Sequence, residues 1–558
     1  SLRLLFSCNS DCFQFVYDFT LAKQVGFYYN IAVFICAERV SAQLGLRGMK
    51  QMSDKKNTRG TSVITKNTQE LRTKKDEKQD RNFYIKCAIV VIALLVAFVL
   101  CFLYSNQDIR KGLTAVTVDG EKFSATDLDY YYATVLNQYS AYFSYLGVDA
   151  SQSLDAQQYS EDQSWADYLR SEAVTALTQV ASMYHEAMDN GYEISDELQQ
   201  QIDDYSASID EYCQSNSITR EQYLQTQYGA KMTDEIFMKH LTMVFVSSDY
   251  ASDYQNNHEY SDEEISTYYD EHKKDIDLAN YEVLTVNADY TGIEGTTEGS
   301  ADETPEYTDA QTKQAMEAAK ETANAFLDRV NSGEKLSDIG DEFGSNYYSA
   351  KTDASYSSYS SYAFNDWVFD ESRTNGEASV VKDEANNCWY VVVMGERYRP
   401  DYNTVDVRHI LIAPEENTLS ADDEGYDAET ETNNAAAKEK AQDVLNKYLA
   451  GAHTADAFGE LAKEYSSDSN ASEGGLYTQV YKGQMVDAFE NWCFDANRNP
   501  GDTGIVETTY GYHVMYFQGE NLPYWEVRCI NGLYSDWQDS IYDGANAKVH
   551  TFGLKAVG

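Results

Sequence analysis

The sequence has few basic residues for its length, and this shortage excludes one large class of partners. Lys and Arg number 43 against 91 Asp and Glu, which gives a formal net charge of −48 and a pI near 4.3. Nucleic acids are held chiefly by Lys and Arg that neutralise phosphates. The chain is therefore not predicted to bind DNA or RNA.

Closely paired cysteines are also lacking. The nine cysteines are scattered, with no CxxC pair among them, so neither a zinc site nor a disulfide framework is indicated. We therefore predict no metal site. The cysteines that follow residue 105 are expected to be buried free thiols: Cys213, Cys388, Cys493 and Cys529.

One long run without charge interrupts the acidic composition. Cys87 to Tyr104 is apolar, and Tyr84 and Ile85 extend it, so 84–104 is long enough to cross a bilayer as a helix. Basic residues crowd the preceding segment, and the positive-inside rule then places everything after Ser105 outside the cytoplasm. We predict an uncleaved single-pass anchor in the cell membrane, because no small-x-small cleavage site is evident.

The segment before this anchor, 1–83, is predicted to be a basic cytoplasmic lead. Met49 or Met52 opens a typical lead of this kind, so we interpret 1–48 as the product of an over-extended reading frame. The exported part is too long for one hydrophobic core. We expect an α+β chain with a helical lobe at 116–274, two related α/β domains, and a tail at 521–558 whose role the sequence does not indicate.

The helical lobe begins with a short strand and a turn. Ser124 then caps a helix, with Asp127 at the capping-box position. Further helices are predicted at 162–190, 195–215, 219–228, 233–249 and 261–273. A helical scaffold that binds no client is the alternative interpretation of this lobe.

The two α/β domains, 279–398 and 404–520, are predicted to be copies of one fold. Phe364–Asp370 repeats as Phe489–Asp495, and each copy ends in a strand that finishes with Gly-Glu. Each copy also begins with a strand, at 281–286 and 407–412, followed by an insertion and a long helix, at 308–331 and 433–450. Residues 279–398 form the first domain and residues 404–520 the second domain.

The second domain carries an ordered set of motifs. His409 lies in an alternating strand, and His513 lies in a second one near the end of the domain. Between them come Asp468 after a helix, a Gly-Gly turn, and a Gly-x-Met segment followed by Phe489. This set, in this order from Val405 to Glu520, resembles the parvulin-type peptidyl-prolyl cis-trans isomerases.

The resemblance implies a site and a reaction without a cofactor. It places His409 and His513 in a paired core with Asp468 as the acidic group, and it assigns the substrate pocket to Met485, Phe489, Tyr477 and Thr508. A dry pocket would favour the twisted, less dipolar state of an X-Pro amide, whose barrier is about 20 kcal/mol.

Several features leave alternative interpretations of the site open. Tyr477 stands where the family has Leu, and the loop from Pro414 to Thr432 is long and acidic. Each histidine could be a buried structural residue. A nucleophilic site at Ser466 or Ser467 would need an elbow motif that the sequence lacks.

The first domain lacks the histidines. Glu282 is expected near the position of His409, and Cys388 opposite that of His513. We interpret this copy as a degenerate, inactive parvulin domain; a cysteine-based site at Cys388 is the alternative.

The order of lobe and domains is similar to that of SurA-like and PrsA-like foldases. The resemblance implies a foldase that isomerises X-Pro bonds in unfolded, newly exported polypeptides outside the membrane. A non-catalytic holdase or assembly chaperone is the alternative, and a purely structural surface protein is a third interpretation. The sequence leaves open whether the chain forms a homodimer.

Overall fold

The computed structural model describes residues 85–86, 88–97, 106–294 and 307–558. The cytoplasmic lead and part of the predicted anchor lie outside these residues; the described residues of the anchor are helical. No helix within the described ranges has both the length and the apolar character that a membrane span requires. The described residues form two compact units, one of 106–254 with 541–558 and the other of 255–540.

The first unit is a helical lobe built on a small sheet. Its strands and short hairpin are β1 (Thr114–Val118), β2 (Glu121–Ser124), β3 (Gln158–Ser160) and β4 (Gln163–Ser164). Its helices are α1 (Gln107–Lys111), α2 (Ala125–Ser140), α3 (Trp165–Asp189), α4 (Asp196–Asn216), α5 (Arg220–Tyr228) and α6 (Asp234–Asn257).

The predicted cap of α2 is present. The Asp127 amide donates to the Ser124 hydroxyl, and the Asp127 carboxylate accepts from the Ser124 amide at 2.7 Å. Both bonds satisfy amides that a helix N-terminus leaves unpaired. Asp127 also lies 2.8 Å from Nε2 of His240, which is buried in the core of the lobe.

The tail has a structural role that the sequence did not indicate. After α14 (Tyr524–Gly544), the strand β13 (Ala547–Val549) pairs antiparallel with β1. The helix α15 (Thr551–Leu554) follows, and Val557 is buried with the core of the lobe. The tail therefore completes the lobe sheet, in the order β13-β1-β2.

The second unit opens with α7 (Asp262–Ile276) and holds both α/β domains. The first domain consists of β5 (Leu278–Asn287), α8 (Asp309–Asn331), α9 (Leu336–Phe343), β6 (Tyr348–Ser355), α10 (Ala363–Val368), β7 (Ala378–Asp383) and β8 (Cys388–Tyr398). The second consists of β9 (Asn403–Ile412), α11 (Tyr426–Leu449), α12 (Ala455–Tyr465), β10 (Leu476–Val480), α13 (Asp487–Cys493), β11 (Thr503–Thr508) and β12 (Gly511–Pro523).

The two domains share one topology. Their antiparallel sheets have the orders β6-β5-β8-β7 and β10-β9-β12-β11, so corresponding elements occupy corresponding places. In the second domain, α11 and α12 pack on one face of the sheet around Ile410 and Val514. The other face, with Val407 and Met515, packs against α13 and carries the site described below.

One predicted boundary is wrong. The helix expected from Asn433 begins at Tyr426, so the acidic loop is shorter than the predicted 414–432. Asp427 and Glu429 belong to the first turn of α11, where carboxylates are stabilised by the helix dipole. Glu429 also accepts hydrogen bonds from the amides of Thr418 and Leu419. The prediction was wrong because it assigned these acidic residues, which lie at the start of the helix, to the preceding loop.

The thiol prediction is confirmed. All the cysteines named above are free and buried.

Candidate active site

Two neighbouring strands bring the histidines together. His409 pairs with Met515 across β9 and β12, and His513 pairs with Leu411, so the two imidazoles are diagonal neighbours on one sheet face. Their Nδ1 atoms lie 3.1 Å apart, and their ring planes are 24° from parallel. Both side chains are buried. The predicted pair therefore exists as a direct hydrogen bond.

Thr508 holds the far side of His513. Its hydroxyl lies 2.8 Å from His513 Nε2, and it accepts a hydrogen bond from the Tyr510 amide at 3.1 Å. Thr508 ends β11 and pairs with Gly511 at the start of β12. The tight turn between these strands thus fixes the hydroxyl against the ring.

Asp468 lies on the opposite side of the pair. The Ser466 hydroxyl accepts from the amides of Leu411 and Asp468, which holds this segment against β9. Asp468 Oδ2 is 3.3 Å from His409 Nε2, close enough for an electrostatic contact. The alignment is too poor for a hydrogen bond, so Nε2 is buried without one. The contacts given for the Ser466 hydroxyl are with these two amides and include no imidazole that could act as its base.

Aromatic side chains close the pocket around the imidazoles. Phe489, from α13, presents its ring edge-on to both histidines, with centroids 5.4 Å from each. Tyr477, from β10, stacks on His409 at 5.2 Å. Met485 is half-buried beside the same cluster. The structure thus brings together all seven side chains that the family resemblance selected.

Gly475 explains why the Gly-Gly turn is needed. It adopts φ +67°, and a Cβ there would lie 2.1 Å from the carbonyl oxygen of His409. The His409 amide donates to the Gly475 carbonyl at 2.9 Å. Any side chain at this position would push β10 away from the strand that carries His409.

One assignment of ring protons fits the contacts of both imidazoles. We infer that Thr508 donates to His513 Nε2, that His513 Nδ1–H donates to His409 Nδ1, and that His409 Nε2–H faces Asp468. The opposite assignment would direct a lone pair of His409 at the Asp468 carboxylate. Sequence reasoning missed Asn470, which also lies beside this network. Its side-chain oxygen is buried without a hydrogen bond. Asn470 raises the pKa of His409, which means that it favours the protonated imidazole.

Burial keeps both rings neutral at neutral pH. It lowers the pKa of His409, although the Asp468 carboxylate and Asn470 oppose the shift. Burial, reinforced by the neighbouring His409, lowers the pKa of His513 to about 4. A neutral imidazole can donate one hydrogen bond and accept another, as His513 does between His409 and Thr508.

This gives a prediction for stability against pH. The folded pKa of His513 is below its ordinary value of 6.5, so the unfolded chain binds more protons between these values. The contribution of neutral, buried His513 to the free energy of unfolding is complete above about pH 6.5 and is lost as the pH falls towards 4. From pH 7 to pH 5 we expect a loss on the order of 2 kcal/mol from this residue, measured by urea unfolding.

His513→Gln serves as the control, because glutamine does not titrate. Its unfolding free energy should be lower than wild type at pH 7 but should fall less between pH 7 and pH 5. Parallel pH profiles for the two proteins would show that His513 is not held neutral.

Matching hydrogen bonds align the two domains residue by residue. The Met394 amide and carbonyl bond to Glu377 and Gly376 in the first domain, as those of Phe517 bond to Asp502 and Gly501 in the second. Met394 therefore corresponds to Phe517. Counting along the paired strands then shows that Tyr390 corresponds to His513 and that Val283 corresponds to His409.

The sequence-based alignment of the first domain is therefore wrong at one position. Cys388 was expected opposite His513, but Tyr390 occupies that place. Glu282 was expected near the place of His409, and it directly precedes Val283, which occupies it. The cause of the Cys388 error is a longer turn in the first domain. Four residues, 384–387, separate the paired Asp383 and Cys388, whereas two residues, 509–510, separate the paired Thr508 and Gly511. Burial raises the pKa of the Cys388 thiol, which argues against a reactive thiolate there.

Among the residues that the structure describes, no group of three or more His, Cys, Asp or Glu side chains could hold a metal ion.

Comparison with protein families agrees with this geometry. Residues 390–520 match the family model of the PPIC-type PPIASE domain, and residues 72–248 match that of the SurA-like N-terminal domain. Two segments of the chain are therefore similar to a parvulin-type domain and to a SurA-like N-terminal domain, and the resemblance predicted from its motifs is confirmed.

Individual relatives cover less of the chain. It is 39% identical over 61 residues to Foldase protein PrsA 1 of Listeria innocua, covering 11% of this chain and 21% of that protein. It is 35% identical over 114 residues to Foldase protein PrsA of Staphylococcus epidermidis, covering 20% and 31%. The chain therefore spans about a fifth to a third of the length of these relatives.

Among solved structures, PrsA from Bacillus subtilis is similar at a TM-score of 0.23 and 16% identity, covering 69% of this chain and 81% of that one.

Proposed function

We propose that the chain is a peptidyl-prolyl cis-trans isomerase and foldase that acts on exported polypeptides outside the membrane. One observation carries the proposal: within the segment that matches the PPIC-type domain, two buried neutral histidines share a hydrogen bond beneath the Phe489 ring.

The geometry supports catalysis without a covalent step. Phe489, Met485 and Tyr477 form an apolar wall that can hold a prolyl ring while the preceding residue rotates. Rotation breaks amide resonance, makes the carbonyl less dipolar and leaves the proline nitrogen basic. A water-poor pocket favours that state over the planar amide. In this proposal, His409 and His513 supply fixed dipoles oriented by Asp468 and Thr508.

A holdase remains the second candidate because of the lobe. Its segment after α2 exposes Tyr142 and Tyr145, which are 60% and 89% accessible, and exposed aromatic groups suit unfolded clients. Refolding of a proline-limited protein separates the two functions. An isomerase at one-hundredth of the client concentration accelerates the slow phase and leaves the final yield unchanged. A holdase alters the yield only near stoichiometric amounts.

We also propose that 84–104 anchors the chain and that the residues after Ser105 lie outside the cell. External protease applied to intact cells should then remove the bulk of the chain and leave a small anchored fragment. Lysed cells serve as the control for cleavage. Full protection in intact cells would contradict this topology.

Homodimer formation also stays a proposal, and light scattering of the purified chain tests it.

The acidic loop predicts a charge preference. Pro414 lies close enough to Gly511 that a Cβ there would be 3.1 Å from its ring, so the loop begins beside the turn that carries Thr508. Glu415 and Glu416 follow, both exposed. We expect kcat/KM to be higher for Lys-Pro than for Ala-Pro peptides, and lowest for Glu-Pro. The difference should shrink at 1 M salt, where screening shortens to about 3 Å.

Glu415→Gln combined with Glu416→Gln should reduce the same difference at low salt. A preference for Glu-Pro, or an advantage of Lys-Pro that ignores both salt and the substitutions, would refute the electrostatic account.

A further inference from the structure

A cavity of about 360 Å³ opens in the first domain, on the face that corresponds to the histidine site of the second. Val283 and Tyr390, which occupy the places of the two histidines, line it, and so does Phe364. Phe364 begins the repeat that Phe489 begins in the other copy. The first domain has thus lost the imidazoles but kept an open pocket of a size that suits a small ligand.

Aromatic rings build the walls of this cavity. The Phe364 and Tyr390 rings meet edge-on at 4.9 Å, and Tyr362 stacks on Phe364 at 5.5 Å. Tyr362 is 41% accessible, so it stands at the mouth. Tyr359 completes the set. Grooves with such walls bind proline rings in extended peptides.

The cavity is lined by a positive charge, whereas the chain as a whole is strongly acidic. Among the residues that the structure describes, Lys351 is the only charged one that lines the cavity, and its ammonium lies 4.9 Å from the centre of the Tyr359 ring. The nearby Asp383 is buried, and its oxygens accept hydrogen bonds from the Ala363 amide, from Asn386 and from Tyr390. The Asp383 carboxylate is therefore stabilised by hydrogen bonds within the protein, whereas the Lys351 ammonium can pair with a ligand.

We propose that the first domain is a peptide-binding module that holds, without isomerising, extended segments in which an Asp or Glu precedes a proline. The proline ring lies among Phe364, Tyr362 and Tyr390, and the carboxylate pairs with Lys351. This binding is separate from the isomerase activity proposed for the second domain, whose acidic loop disfavours the same segments. The two domains would then sort proline sites by charge.

The test uses the full chain and three labelled peptides: acetyl-Ala-Ala-Glu-Pro-Ala-Ala and its Gln-Pro and Lys-Pro counterparts. Fluorescence anisotropy gives Kd, and hydrogen exchange locates the contact. We expect the Glu-Pro peptide to bind roughly fivefold more tightly than the Gln-Pro peptide, as one accessible ion pair allows. It should protect 348–364 rather than 476–489.

Lys351→Glu should abolish the Glu-Pro advantage, and Lys351→Arg should retain it. Lys313→Glu makes the same charge change on an exposed position of α8 that does not line the cavity, and it should leave binding unchanged. Tyr362→Ala should weaken all three peptides. Isomerisation of Ala-Pro peptides should be unaffected by each of these variants.

Equal Kd values for the Glu-Pro and Gln-Pro peptides, or equal losses from Lys351→Glu and Lys313→Glu, would overturn the proposal, as would protection confined to the second domain. A peptide with Phe in place of Pro that binds as tightly would show that the pocket selects aromatic rings instead. Because turnover is measured separately, failure here is distinguishable from failure of the isomerase.

Discussion

Replacing Phe489 by Ala is expected to lower kcat/KM for X-Pro isomerisation by about a hundredfold. The ring touches both imidazoles, so its removal opens the water-poor pocket and lets the prolyl ring shift, and displacements of about 1 Å can cost this much. The side chain is 3% accessible, so the substitution should also cost on the order of 3 kcal/mol of stability. Peptide exchange kinetics and urea unfolding measure the two effects.

Phe364→Ala is the matched control. Phe364 begins the same repeat in the first domain and is also 3% accessible, so its loss should cost a similar free energy of unfolding. Turnover should nevertheless stay at the wild-type value, because no histidine pair lies beside it. Loss of activity in both variants would mean that instability, rather than the pocket wall, controls the rate.

Single and double replacements of the histidines should show strong coupling. His513→Leu leaves Nδ1 of His409 buried without its partner, and His409→Leu does the same to His513. An unsatisfied buried group costs about 1–3 kcal/mol, whereas replacing both partners by apolar groups can be nearly neutral. The double variant should therefore be more stable than the sum of the two losses predicts, by at least about 1 kcal/mol.

A control cycle pairs His409→Leu with Tyr390→Leu, which lies in the other domain and makes no contact with the pair. These losses should add. Additive losses for His409 and His513 themselves would contradict a shared hydrogen bond. Each single variant should also lose turnover, because the remaining imidazole is no longer oriented.

Sequence reasoning went furthest where local chemistry decides the structure. Ser124 and Asp127 predicted the start of α2 because a capping box satisfies helix amides locally. His409 and His513 are 104 residues apart, and only the resemblance to the parvulin family predicted that they lie close together. No local signal relates these two strands.

The remaining errors have distinct physical origins. Tyr390 could not be placed, because the turn between β7 and β8 is two residues longer than the turn between β11 and β12, which changes the count from the repeated Phe364 motif. The pairing of β13 with β1 could not be foreseen, since strands of three and five residues carry little pattern of their own. Asn470 was missed because its role depends on the turn around Asp468.

The most direct test of the central claim is exchange spectroscopy of an Ala-Pro peptide with the full chain at one-hundredth of the peptide concentration. Uncatalysed exchange takes tens to hundreds of seconds. The account predicts that the wild-type chain produces exchange cross-peaks between the cis and trans signals within a second, and that the double variant His409→Leu/His513→Leu, folded by its unfolding curve, does not. Exchange at the uncatalysed rate with the wild-type chain, or equal acceleration by the double variant, would contradict it.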